Sequence, residues 1–130
     1  MQKESNSGAV DTFRRYTEAF QTLDPRAAAQ FFNEPAIMIT PQGVVPLPTG
    51  AAVEQAYQRV MADLPAKGYV RTEFSPFSER RLADDVAVVS GRGAWKNAAG
   101  EDFMRFGMTY TLRRTGQTWR IVVAAIHDPV

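Results

Sequence analysis

Apolar residues recur at two different spacings, and the change divides the chain. Val10, Phe13, Tyr16 (or Thr17), Phe20 and Leu23 follow helical spacing and predict a first helix over about Gly8 to Leu23, with Ser7 as its cap. Asp24-Pro25 then reads as an N-cap followed by proline at the first helical position. It opens a short helix from Arg26 to Phe32. Ala36 to Thr40 predicts a brief strand, which Pro41-Gln42-Gly43 turns back toward Val44 and Val45. Pro46 and Pro48 keep that return strand short or at an edge. Thr49 caps a third helix, with Val53, Ala56, Tyr57, Val60, Met61 and Leu64 on its apolar stripe and Gly68 placed to end it.

From Tyr69 onward the spacing becomes an alternation. Four strands are predicted, over about 69–82, 86–96, 102–114 and 118–128, joined by turn-like links at Asp84-Asp85, Asn97 to Gly100 and Thr115-Gly116. Helices first and strands afterwards predict a single α+β domain over 1–130, its helices packed on one face of an antiparallel sheet.

Pairing the last two strands tests which faces go inward. Met104, Phe106, Met108, Tyr110 and Leu112 form the better core face of the third strand. A two-residue turn at Thr115-Gly116 sets Leu112 against Trp119, Tyr110 against Ile121 and Met104 against His127. That register turns His127 inward and Asp128 outward, and a one-residue slip would spoil every pair. The preceding hairpin places Ala87, Val89, Gly91, Gly93 and Trp95 inside, with Arg92 opposite Arg105 outside. Two readings of Gly91 and Gly93 stand: they leave room for a cavity, or they mark a flexible or bulged strand.

Composition narrows the function classes. Hydrophobic residues at 45% and charged residues at 22% are ordinary for a soluble globular domain. The formal charge of +1, with scattered basic residues, argues against a nucleic-acid partner. The absence of cysteine excludes disulfides, thiol catalysis and cysteine-ligated zinc, and a lone histidine excludes a multi-histidine metal site in one chain. No cofactor is expected. No apolar run approaches the ~18 residues of a membrane span, and the N-terminus lacks the apolar run of a signal peptide, so a cytoplasmic location is the expectation.

The stretches FRRYTEAFQTLDPRAAAQFF, AIMITPQG, LPTGAAVEQAYQRV and TWRIVVAAIHD, in this order, resemble the nuclear transport factor 2-like superfamily over almost the whole chain. That group includes ketosteroid isomerases and SnoaL-type cyclases. The resemblance implies a cone, with three N-terminal helices wrapped on a strongly curved, mainly antiparallel sheet enclosing a pocket. It also implies a homodimer through the outer sheet face, here Val86, Val88, Phe103, Thr109, Thr111, Val122 and Ile126. Carried over from ketosteroid isomerase, the helix-1 oxyanion donor falls on Tyr16 and the second donor near Tyr110. The general base, just before a Pro-x-Gly turn, falls on Thr40, which cannot shuttle a proton as a carboxylate does.

The candidate catalytic residues are therefore Tyr16, Tyr110 and His127. An inward phenol in a dry pocket stabilises developing negative charge, or it is a core tyrosine bonded to backbone. His127 is the side chain suited to acid-base work near neutrality, or it caps the mouth of the sheet. Tyr57 reads as core or pocket wall. The expected function is a small-molecule pocket protein, a cofactor-independent isomerase, cyclase or dehydratase acting on an apolar carbonyl compound. The alternative is a non-catalytic ligand-binding or dimerisation module.

Overall fold

The computed structural model describes residues 8–129. Helix α1 (Ala9–Gln21) buries Ala9, Phe13, Tyr16, Thr17 and Phe20 on one side and carries an exposed Asp11–Arg15 pair on the other. Gly8 stands at its N-cap without a side-chain bond, and Ser7 lies outside the described residues. The helix stops two residues short of the predicted end, because Leu23 takes φ 57° and turns the chain. Asp24 then accepts from the Arg26 amide and opens α2 (Pro25–Ala29) as predicted. This helix is shorter than expected. Phe32 belongs instead to β1 (Phe32–Thr40), buried beside Ile121.

Gly43 has φ 143°, and β2 (Gly43–Leu47) returns along β1 as an edge strand. The Thr49 hydroxyl caps α3 (Gly50–Asp63) by accepting from the Ala52 amide, burying Val53, Tyr57 and Met61. A 3-10 turn (Pro65–Lys67) ends at Gly68, whose φ of 88° favours glycine.

The predicted strand over 69–82 is two strands, β3 (Arg71–Phe74) and β4 (Ser78–Ala83), both paired with β5 (Val86–Lys96). Pro76 has no amide to give, and Ser75 fills the break. Its amide donates to the Arg92 carbonyl and its hydroxyl accepts from the Arg92 amide at 2.8 Å. Then follow β6 (Asp102–Thr115) and β7 (Thr118–His127). The sheet runs β2-β1-β7-β6-β5-β3, with β1 parallel to β7 and the other pairs antiparallel. Three helices on this curved, open, mixed sheet make the expected α+β fold.

Two details of register differ from the sequence reading. In the β5–β6 hairpin Lys96 faces Asp102 and not Glu101, and a bulge follows between Trp95 and Lys96; the two one-residue shifts keep the faces but set Arg92 opposite Gly107 and Arg105 opposite Ala94. The like-charge pair does not form. In the β6–β7 hairpin the turn residues are Gly116 and Gln117, giving Leu112↔Ile121 and then, beyond an unpaired Val122, Thr111↔Val123 and Gly107↔His127. An extra residue in an alternating strand exchanges its faces from that point on. Ile126, expected outside, therefore faces inward opposite Met108. His127, expected inside, faces outward opposite Gly107.

The inner glycines of β5 do not leave empty space. A Cβ on Gly91 would lie 2.8 Å from the Phe77 ring, and one on Gly93 would lie 2.7 Å from Phe106. The Arg81 and Arg114 guanidinium groups sit 5.0 and 5.8 Å from the Trp119 ring centre.

Candidate functional site

Between the helices and the sheet lies a cavity of about 280 Å³. Helix α1 contributes Tyr16, Thr17 and Phe20, and α3 contributes Tyr57 and Val60. The strands add Met38, Thr72, Phe74, Trp95, Phe106, Met108, Tyr110 and Ile126. Phe20 lies nearly parallel to Trp95, with Phe106 edge-on to the same indole. The lining is thus mostly aromatic, methionine and aliphatic carbon. Exposed Pro41, Gln42, Met104, Arg105 and Asp128 mark its opening.

Three phenol groups converge on this cavity. The Tyr16 hydroxyl lies 2.5 Å from that of Tyr57 and 3.2 Å from that of Tyr110, all buried. Helical spacing on α1 and α3 and the inward face of β6 bring them together from three distant parts of the chain. Burial pushes all three well above the usual phenol range, and repulsion from a neighbouring phenolate adds to it. They are donors near neutrality, not bases.

The donors can be counted. Each phenol has one O–H, and three hydroxyls joined through Tyr16 by two hydrogen bonds consume two of them. The third O–H either closes the ring between Tyr57 and Tyr110, which also act on each other, or turns to the cavity. No acceptor outside the trio meets these oxygens among the described residues.

Of the residues singled out in the sequence, Tyr16 and Tyr110 are brought together as expected. Tyr57, read as core or wall, completes the cluster. Its signal was its place as the one hydroxyl-bearing residue on the buried stripe of α3. Thr40 lines the cavity, but its hydroxyl accepts from the Gln42 amide at 3.2 Å and holds the turn.

His127 borders the cavity while its ring lies on the outer side of the sheet. Its Nδ1 donates to the Asp128 carbonyl at 2.8 Å, leaving Nε2 for the Thr109 hydroxyl at 2.9 Å. It stands apart from the phenols. Asp102 and Glu73 are absent from the lining. Lys96 bridges them, 2.6 Å from Asp102 and 3.5 Å from Glu73. Hydrogen bonds from Lys96 hold the Asp102 carboxyl below its ordinary value, and hydrogen bonds from Arg71 do the same for Glu73.

A family model for NTF2-like proteins, DUF6841, matches residues 4–129. The chain belongs to this family. Solved structures agree on the fold of this NTF2-like chain. A domain of unknown function with a cystatin-like fold from Nostoc punctiforme PCC 73102 aligns with TM-score 0.80 at 16% identity, covering 100% of this chain and 80% of that one. An NTF2-like protein with a cystatin-like fold from Novosphingobium aromaticivorans gives 0.74 at 17%, covering 89% and 76%. An NTF-2 like protein of unknown function from Shewanella oneidensis MR-1 gives 0.71 at 19%, covering 92% and 95%. No curated protein matches the sequence.

Proposed function

We propose that this NTF2-like chain is a small-molecule pocket protein whose ligand is an apolar compound bearing a carbonyl oxygen. The observation that carries the reading is the cluster of Tyr16, Tyr57 and Tyr110 hydroxyls at a mostly apolar cavity. An apolar lining selects hydrocarbon surface, and a dry donor selects one acceptor atom within it. A carbonyl oxygen fits because it accepts without bringing a hydrogen of its own.

Binding is favoured over turnover by the remaining lining. An isomerase, cyclase or dehydratase needs a group that takes a proton from carbon or oxygen as well as a donor. By the resemblance to ketosteroid isomerase Thr40 takes the place of that group, and its hydroxyl is bound within a turn.

The test compares α-tetralone with tetralin, the same two-ring skeleton with and without the oxygen, by calorimetric titration. The ketone is expected to bind roughly threefold to tenfold more tightly, the worth of one neutral hydrogen bond. Changing Tyr16, Tyr57 and Tyr110 together to phenylalanine should remove the preference while keeping the cavity apolar. Equal binding of the two compounds to the wild-type chain, or binding of neither, overturns the reading.

A further inference from the structure

The outward turn of His127 builds a second hollow, about 290 Å³, on the opposite side of the sheet. The pairing Ser78↔Ser90 and Ser90↔Thr109 lays three hydroxyl side chains in a row across β4, β5 and β6. The adjacent row is Arg92↔Gly107 and Gly107↔His127. Neighbouring strands stand about 4.8 Å apart, so each row places its groups one strand spacing from the next. With no side chain on Gly107, backbone forms the floor between the guanidinium and the imidazole. A Cβ there would lie 2.5 Å from the His127 Cε1.

The hydrogen-bonding groups of this hollow are unevenly used. His127 and Thr109 satisfy each other, and Nδ1 is held by the Asp128 carbonyl. The Ser78 and Ser90 hydroxyls and the Arg92 guanidinium have no such partner among the described residues, although the Arg92 backbone is held by Ser75. The lining includes one permanent cation and no carboxylate. Donors in two rows, an unpaired guanidinium and an open backbone floor are complementary to a compact group with several acceptor oxygens and negative charge.

We propose that this outer hollow is a binding site for a small oxyanion, a phosphate group or a carboxylate. Arg92 supplies the charge and a two-pronged donor set, Ser78 and Ser90 add hydroxyl donors, and His127 closes one end by packing over Gly107. The site opens on the other face of the sheet from the apolar cavity and rests on its own residues. The two meet at the β6–β7 edge, where Met108 and His127 border both.

The experiment is a nitrogen-15 NMR titration of the intact chain with inorganic phosphate and, separately, with acetate, ionic strength being kept constant with chloride. Saturable shifts are expected at the amides of Ser90, Arg92 and Gly107. Arg92→Leu should weaken binding roughly tenfold or more, the loss of a charged hydrogen-bond donor, while Arg59→Leu on the exposed side of α3 leaves it unchanged. Arg92 is exposed, and an unaltered spectrum away from the site confirms that the variant is folded. Tighter phosphate identifies a phosphate group, tighter acetate a carboxylate, and equal affinity their shared oxyanion chemistry. Shifts that do not saturate, or an affinity unchanged by Arg92→Leu, overturn the proposal.

Discussion

At the scale of single residues, the phenol cluster makes an unusual ranking of variants. Tyr16 is the middle member, so Tyr16→Phe strips both Tyr57 and Tyr110 of their hydroxyl partner. Leaving buried polar groups unmatched costs about 1–3 kcal/mol, whereas removing every member of a bonded set is close to neutral. The triple phenylalanine variant is therefore expected to be more stable than Tyr16→Phe alone, as measured by urea denaturation. The opposite order would mean that the hydroxyls are bonded elsewhere. The same burial has a consequence at high pH. All four tyrosines have raised values, with burial the largest cause in each. Below the ordinary phenol value near 10, folded and unfolded chains are both protonated and the effect on stability is nil. Above it the unfolded chain releases protons that the folded chain retains, so stability falls as pH rises. Absorbance of the phenolate should then appear together with loss of circular dichroism, not ahead of it.

At the scale of elements, caps and turns were legible because each rests on a local residue type: Asp24-Pro25, Thr49 and the 41–43 turn stand where read, whereas Gly68 ends the 3-10 turn after α3 and not α3 itself, which stops at Asp63. Thr49→Ala should cost about 1 kcal/mol through the lost bond to Ala52, checked by thermal unfolding. What escaped was strand register. Alternation identifies faces but does not number the residues between them, and a bulge adds one residue without changing composition. The longer β5–β6 loop and its bulge removed an arginine clash, and the bulge at Val122 exchanged His127 for Ile126 on the inner face. That second pairing depends on Gly107. Gly107→Ala brings a methyl group against the His127 ring and 3.2 Å from the Asp128 carbonyl, so about 1–3 kcal/mol of destabilisation is expected. Adding His127→Ala should recover much of it, and a double-mutant cycle measures the coupling. Purely additive costs would show that the two residues are not in contact.

Over the whole molecule, the order of elements and the site's tyrosines were both accessible from the chain, because the fold fixes which faces can meet. Tyr16 and Tyr110 follow from a helical stripe and a core-facing strand. The third phenol, the outward histidine and the hollow behind it follow only from the three-dimensional pairing. A ligand held in the apolar cavity should raise the unfolding temperature in proportion to the logarithm of its concentration. The unpaired Val122 also means that the final strand is one residue longer than the track it follows. Deleting Val122 shortens the chain to that track and leaves every later side chain where it was. Deleting Ala125 instead slides only the tail, carrying Ile126 to the outside and the imidazole into the cavity, into the company of Met108. The chain's one imidazole can thus be moved between a solvent-side hollow and a dry pocket by length alone. Histidine carbene footprinting, or the pH titration of its ring protons with and without ketone, reads which side it occupies. An acid-base group for this pocket requires no new residue in the sequence, only one residue fewer.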